Sequence, residues 1–137
     1  MSLIQYQIDT KEKFNVITIL NTDLSSNLVP ELANLATEWG NLPQKNLVLN
    51  LQNLENWDEA VIEQIALSQG QFYEKNISFV ICALSDQVLA ILDKTDYAEL
   101  LNMTPTESEA WDIVQMEEIE RELLDSDDME FSLQNEE

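Results

Sequence analysis

The sequence feature that most constrains the fold is a buried strand that leads through a short polar turn into an amphipathic helix. The strand is Leu47–Leu51, and the turn carries Asn53, Glu55 and Asn56. Apolar residues at a spacing close to 3.6 then predict the helix: Val61, Ile62, Ile65, Ala66 and Phe72. A strand and helix joined in this way form half of a βαβ unit, in which functional groups concentrate in the turn after the strand. The segment Asp58–Ala60, which opens the helix, is therefore the first candidate for a functional surface.

The segment before this unit predicts a hairpin and a helix. Ile4–Asp9 and Phe14–Leu20 alternate apolar and polar residues around a short charged turn, which predicts two antiparallel strands. Leucines at helical spacing follow the hairpin. Proline is tolerated only in the first turn of a helix, so Pro30 places the start of this helix near Asn27, and Gly40 ends it.

The segment after the central helix predicts a strand, a short helix, a last strand and a final helix. Ile77–Ala83 is almost continuously apolar, as expected for a strand that is covered on both faces. Ser85-Asp86 offers a cap for the short helix, and Leu100–Met103 is the candidate for the last strand. Thr106 lies three residues before Glu109, which is the spacing of a capping box and predicts the start of the final helix.

These elements have the order ββαβαβαβα. Successive βαβ units with short connections imply right-handed crossovers and a parallel sheet, to which the opening hairpin adds an antiparallel edge. We therefore predict one α/β domain with a mixed, mostly parallel central sheet of four or five strands and about four helices. We expect the domain to span residues 1–116, and residues 117–137 to form an acidic helical extension and a flexible tail.

The charge of the chain limits its possible partners. Six basic and 27 acidic residues give a net charge of −21, while an apolar content of 45% is sufficient for a core. Such a chain repels phosphates, which argues against nucleic acid and anionic membranes and favours proteins with basic surfaces as partners. The sequence shows no signal peptide and no apolar run long enough to span a bilayer, so we expect a cytoplasmic protein.

The residue types of the chain argue against catalysis. Histidine is absent, which removes Ser-His and Cys-His nucleophiles and histidine metal sites. The single cysteine, Cys82, lies in an apolar run and is predicted to be a buried, inert thiol. The chain has two glycines and no phosphate-binding loop motif. We therefore expect a non-enzymatic protein with no cofactor and no metal site.

Several strings, taken together in their order and spacing, resemble the STAS domain, the fold of bacterial anti-sigma-factor antagonists. Leu47–Leu51, the turn and Trp57–Val61 are similar to the strand, turn and Asp-Ser-Ser-Gly helix start of that family. Ser85–Leu92 resembles the family's Ser-Pro-x-Val-x-x-x-Leu helix, and Thr95–Ala110 resembles its closing strand and helix. The resemblance covers roughly residues 4–116 and implies a STAS fold with a regulatory, protein-binding function.

Departures from the family pattern bear directly on that function. Asp58 falls on the family's aspartate, but Glu59 falls on the serine that an anti-sigma kinase phosphorylates. Ala60 and Val61 stand in place of the small Ser-Gly pair, and Asn50 stands where the family often has aspartate. The resemblance therefore implies that this protein is not phosphorylated at the usual position.

The acidic pair Asp58-Glu59 has three interpretations. A phosphoserine in the first turn of a helix would lie near unpaired N–H groups and the positive end of the dipole, and Glu59 places a permanent charge at the same point. In the first interpretation the pair is a switch fixed in a phosphorylated-like state. In the second it is a surface adapted to another partner, and in the third it is only a favourable helix start. The preceding Trp57 is either an exposed anchor for a partner or a packing residue of the helix start.

The predicted function is that of a regulatory protein-interaction module resembling an anti-sigma-factor antagonist, with an anti-sigma kinase or a related regulator as its partner. One alternative is a STAS-like accessory subunit of an ABC-type lipid transporter. Another is a small ligand-binding protein, which would need a closed apolar cavity with converging polar groups. The predicted contact residues are Ser25, Ser26, Asn56, Trp57, Asp58, Glu59 and Ala60.

The end of the chain predicts a second feature. Met116, Ile119, Leu123 and Leu124 lie on one side of a helix, which allows docking on a second subunit and hence a homodimer. The alternative is a solvated helix that frays into disorder. Two serines among acidic residues are candidates for an acid-directed kinase: Ser126 and Ser132.

Overall fold

A computed structural model describes residues 3–43 and 46–130, with side chains described up to residue 124. In chain order the elements are β1 (Tyr6–Thr10), β2 (Phe14–Ile19), β3 (Asp23–Leu24), a 3-10 turn (Ser26–Leu28), α1 (Val29–Trp39), β4 (Asn46–Asn50), β5 (Asn56–Trp57), α2 (Glu59–Glu74), β6 (Phe79–Cys82), α3 (Asp86–Leu92), β7 (Met103–Thr104) and α4 (Glu107–Glu130). The predicted order is confirmed. The two-residue strands β3 and β5 are additional elements that the sequence patterns did not predict.

Five strands form one mixed sheet in the order β1-β2-β4-β6-β7. β1 is antiparallel to β2, and every other neighbouring pair in this sheet is parallel. The predicted mixed, mostly parallel sheet is therefore confirmed. Because β2, β4 and β6 run in the same direction, their carboxyl ends lie along one edge of the sheet. The loops that follow β2 and β4 carry the predicted contact residues and leave the sheet at that edge.

The sheet is covered on both faces. Side chains of a strand point alternately to opposite faces, so each central strand contributes to two cores. One set, including Ile17, Leu49 and Ile81, packs with α1 and α2. The other set, represented by Val48, packs with α4. Burial on both faces explains why the central strands read as continuous apolar runs rather than as alternating patterns.

The first helix begins and ends close to the predicted residues. The 3-10 turn precedes α1, and Pro30 occupies its first turn. Gly40 follows the last helical residue, but its φ of −68° is right-handed, so the helix does not end in a left-handed glycine cap. Instead, the Gly40 N–H donates to the Ala36 carbonyl at 3.0 Å. A Cβ atom at position 40 would lie 3.4 Å from the ring of Phe72, an ordinary van der Waals contact, so packing does not require glycine here.

The later helices use the predicted caps. The Ser85 hydroxyl accepts the Val88 N–H at 3.3 Å at the start of α3. At the start of α4 the Thr106 hydroxyl accepts the Glu109 N–H at 3.2 Å and donates to the Glu109 carboxylate at 3.1 Å. The last strand begins at Met103, later than predicted, because only two residues pair with β6.

Helix α4 extends beyond the predicted end of the domain. It runs for 24 residues without a break, so the expected boundary at residue 116 falls inside a helix. The expected flexible tail remains a prediction, since residues 131–137, which include Ser132, lie outside the described residues, as does the side chain of Ser126. Within the described ranges, no helix is both long and apolar enough to cross a membrane.

Candidate functional site

A small parallel sheet of β3 and β5 joins the loop after β2 to the turn before α2. Its register pairs Asp23 with Asn56, and the Asn56 side-chain amide donates to the Asp23 carboxylate at 2.9 Å. The Asp58 N–H continues the pairing by donating to the Leu24 carbonyl at 3.0 Å. These bonds bring the Ser25-Ser26 loop next to the start of α2, beyond the carboxyl edge of the main sheet.

The side chain of Asp58 closes the contact between the two segments. Asp58 is the N-cap residue of α2, with φ −89° and ψ 156°, but its carboxylate makes no capping bond to its own helix. Instead, its Oδ2 accepts the backbone N–H of Ser26 at 2.7 Å. A charge-assisted bond of this length is stronger than a neutral one. Asp58 therefore connects the two loops rather than serving only as a favourable helix start.

Trp57 is a packing residue, and the alternative of an exposed anchor is wrong. Its side chain is 2% exposed and belongs to the core between the sheet and α1–α2. The indole N–H donates to the Val88 carbonyl at 3.3 Å, which links β5 to α3. Neighbouring residues of β5 point to opposite sides, so Asn56 is exposed where Trp57 is buried. A partner can therefore contact the backbone here but not the Trp57 ring.

The other predicted contact residues lie at the surface. Ser26, Glu59 and Ala60 are exposed, and Ser25 is half-buried. The Ser25 hydroxyl donates to the Asn27 side-chain oxygen, which orders the loop. Glu59 lies in the first turn of α2, where the positive end of the helix dipole favours a negative charge.

The surface around these residues is acidic. Asp23, Glu55, Glu59 and Glu63 are all exposed. Desolvation raises the pKa of the Tyr97 hydroxyl above its ordinary value, and the negative charge of Glu63 acts in the same direction. The sequence patterns did not indicate Tyr97, whereas Glu63 lies one helical turn after Glu59. The cluster favours a partner that presents positive charge.

The described basic residues lie mostly at the opposite end of the molecule. Lys11 and Lys13 flank the β1–β2 turn, and Lys75 caps the carboxyl end of α2. Arg121 lies against Ser78, just before β6. The same end also carries carboxylates, among them Glu118, 3.7 Å from Arg121, and Glu122, 4.0 Å from Lys13.

Asn50, at the carboxyl end of β4, supports the site from inside. It is 4% exposed, and its Oδ1 accepts the Gln52 N–H at 2.8 Å in the turn that follows. Its amide nitrogen donates to a Glu107 carboxylate oxygen at 2.9 Å. An aspartate here would place two carboxylates in contact, so the amide fits this position beside Glu107.

Other features of the surface give little support to small-molecule chemistry. The largest of the described depressions, about 760 Å³, is an open groove between β1 and α1 and includes the polar residues Asn34 and Glu38. No group of three or more potential metal ligands occurs within the described residues. Cys82 is fully buried, and burial, reinforced by the charge of Glu107, raises the pKa of its thiol to about 12. The prediction of a buried thiol is confirmed.

A comparison of the sequence with models of protein families agrees with the observed fold. The STAS domain model matches residues 6–110. The chain belongs to the STAS domain family.

Solved structures show the same fold. An anti-sigma factor antagonist from Mycobacterium paratuberculosis is 16% identical with a TM-score of 0.67, and the match covers 83% of this chain and 96% of that one. A serine-to-glutamate variant of RsbS from Moorella thermoacetica is 18% identical with a TM-score of 0.63, covering 81% and 95%. The murine anion transporter Slc26a9 is 11% identical with a TM-score of 0.66, covering 79% of this chain but 18% of the transporter. No curated protein matches the sequence.

Proposed function

We propose that this protein is a non-enzymatic regulatory module that binds a protein partner in the manner of an anti-sigma-factor antagonist. The proposed contact region, here called the α2-entry surface, consists of Ser25, Ser26, Asn56, Asp58, Glu59 and Ala60. Membership of the STAS family supports the proposal, as do structural neighbours that are anti-sigma factor antagonists.

One observation carries the proposal. The 2.7 Å bond from the Ser26 N–H to Asp58 joins two segments that are 32 residues apart in sequence into a single surface at the start of α2. That surface is acidic, exposed and separate from the hydrophobic core. A partner with a basic surface would be attracted to it and oriented by its charge.

Glu59 makes the proposed surface permanently charged. The segment from Asn56 to Ile62 contains no serine or threonine, so the first turn of α2 offers no hydroxyl for phosphorylation. A glutamate carries one negative charge at neutral pH, whereas a phosphoserine carries nearly two and more acceptor oxygens. We infer that regulation depends on the amount or availability of the partner rather than on phosphorylation at this position. The partner we expect is an anti-sigma kinase or a related regulator.

A second candidate function is that of an accessory subunit of an ABC-type lipid transporter. The structural likeness to part of an anion transporter supports a link between this fold and transport. This candidate predicts that the α2-entry surface binds an ATPase.

The test is affinity capture from lysate of the source cell, followed by binding measurements with the purified partner that mass spectrometry identifies. The baits are the native protein, Glu59→Ser and Glu59→Lys. Glu74→Lys is the matched control, because Glu74 is also exposed and lies at the other end of the same helix. We expect Glu59→Lys to weaken binding about tenfold, a loss of about 1.4 kcal/mol, and Glu74→Lys to leave it unchanged.

The outcomes separate the interpretations. Stronger binding by Glu59→Ser would mean that glutamate imitates the phosphorylated, released state. Recovery of a transporter ATPase would favour the second candidate. Equal recovery by all four baits would rule out the α2-entry surface as the binding region.

A further inference from the structure

Helix α4 carries an apolar stripe that the domain does not use for its own packing. The stripe consists of Met116, Ile119 and Leu123, which are 54%, 52% and 58% exposed. Their spacing of three and four residues places them on one face of the helix. Ala110 and Val114, which are fully buried, lie on the opposite face against the sheet. A contiguous row of exposed large apolar side chains indicates a contact surface.

Polar contacts hold the helix in this rotation. Glu117 accepts hydrogen bonds from the hydroxyls of Tyr73 at 2.9 Å and Ser78 at 2.5 Å. Arg121 donates to the same Ser78 hydroxyl at 2.6 Å. Glu117 and Arg121 are one helical turn apart and both face the sheet. The stripe, which alternates with them along the chain, is therefore directed away from the domain.

Two surface recesses border the stripe. One has a volume of about 260 Å³ and is lined by Pro105, Ile113 and Met116 among others. The second, about 400 Å³, includes Trp111 and Ile119 together with Lys11 and Lys13. Recesses of this size accept single apolar side chains, which is how a helix that packs on another helix is held in place.

The charge of α4 decides between possible occupants. Its 24 residues include eleven acidic residues and one basic residue, Arg121, which gives −10. Glu120 and Glu122 lie on either side of the stripe. The nearest lysines are already paired, Lys11 with Asp9 at 2.9 Å and Lys13 with Glu122 at 4.0 Å. A second copy of the chain would place a helix of −10 against another of −10, which is unfavourable.

We propose that the stripe is the docking site for an amphipathic helix of another protein, whose apolar face is flanked by lysine and arginine. This site lies on α4, on the opposite face of the sheet from α2, and it does not depend on the function proposed for the α2-entry surface. It replaces the homodimer that was expected from these three residues and Leu124, because the charge that repels a second copy attracts a basic helix.

The test uses a fluorescently labelled synthetic peptide of 18 residues, with leucines at i, i+3 and i+7 positions and lysines beside them. Its binding to the full chain is followed by anisotropy in 0.15 M NaCl. The test variant is Ile119→Ser with Leu123→Ser. The matched control is Leu67→Ser with Leu100→Ser, which also removes two leucine or isoleucine side chains that are more than half exposed. We expect at least a tenfold loss of affinity in the test variant and no change in the control.

A second peptide with the same composition but scrambled leucines measures the contribution of charge alone. The proposal is overturned if the scrambled peptide binds equally well, if the amphipathic peptide fails to bind, or if the test variant binds as the native chain does. It is also overturned if light scattering shows a dimer that the test variant dissociates. Glu59→Lys should leave peptide binding unchanged, which separates this test from that of the α2-entry surface.

Discussion

Among single residues, Asp58 has the contact on which the α2-entry surface depends. Its carboxylate is committed to the Ser26 backbone, and its own backbone continues the β3–β5 pairing through Leu24. Glu59, the next residue, is free to face solvent. Two adjacent carboxylates therefore have different roles, one structural and one available to a partner.

Replacing Asp58 by alanine should destabilise the fold modestly and loosen the loop. Loss of a charge-assisted bond at a partly exposed site should lower the free energy of unfolding by about 1 kcal/mol, and the Ser26 amide should exchange faster. Urea unfolding and amide hydrogen exchange measure the two effects. Asp96→Ala, at an exposed position, should change stability by less than about 0.5 kcal/mol. Equal effects of both variants would contradict the role given to Asp58.

Cys82 should be unreactive in the native protein. The thiol is fully buried with a pKa of about 12, so almost no thiolate exists at pH 8. A thiol reagent such as DTNB should release no colour from the folded protein within minutes and one equivalent after unfolding in urea. Rapid reaction of the native protein would mean that β6 opens to solvent.

On the scale of elements, α4 is held to the sheet by apolar contacts and by hydrogen bonds. Its first half packs through apolar residues, and its second half is attached through Glu117 and Arg121, which meet at the Ser78 hydroxyl. Asn46 adds a further bond by donating to Glu118 at 2.5 Å. The helix is thus anchored well beyond the predicted limit at residue 116.

Ser78→Ala should weaken this anchor. The substitution removes the shared hydroxyl, so that Glu117 loses one donor and Arg121 keeps only its ion pair with Glu118 at 3.7 Å, which should cost about 2 kcal/mol. Amide exchange should accelerate mainly in residues 117–124, because the apolar contacts of the first half remain. Ser108→Ala, an exposed serine on the same helix, should leave stability and exchange nearly unchanged. Uniform acceleration across the sheet would instead indicate a global effect.

For the whole molecule, burial of two weak acids predicts sensitivity to alkali. Burial raises the pKa of Cys82 to about 12, and burial together with Glu117 raises that of Tyr73 to about 12. Their ordinary values are 9.0 and 10.0. Between these values and 12 the unfolded chain loses protons that the folded chain retains, so stability should fall as pH rises from about 9 to 12. Urea unfolding of native protein and Tyr73→Phe at each pH tests this, since the variant should show a shallower fall.

The net charge of −21 predicts stabilisation by salt. Repulsion between like charges destabilises the compact state, and salt screens it. Raising NaCl from 0.05 to 0.5 M should increase the melting temperature by roughly 4 °C, which corresponds to about 1 kcal/mol for a chain of this size. The increase should largely disappear near pH 4.1, the isoelectric point. An equal increase at both pH values would assign the effect to something other than charge.

Local sequence patterns were sufficient for the order of the elements and for most of their ends. Continuous apolar strands, Pro30 in a first turn, and Ser85 and Thr106 as caps depend on interactions within a few residues. The strands β3 and β5 were missed because two residues carry no periodic pattern. Trp57 had two interpretations because a sequence does not specify the direction of a side chain next to a turn.

The amino-acid sequence by itself determined the fold class, the buried state of Cys82 and the absence of a hydroxyl at the start of α2, since each depends on residue type and local pattern. Only the tertiary structure decided that Asp58 binds the Ser26 backbone, that the described basic residues lie mostly away from the start of α2, and that the apolar stripe of α4 faces solvent. These features depend on contacts between residues 30 or more positions apart. Such contacts exist only after the sheet has brought its loops and helices together.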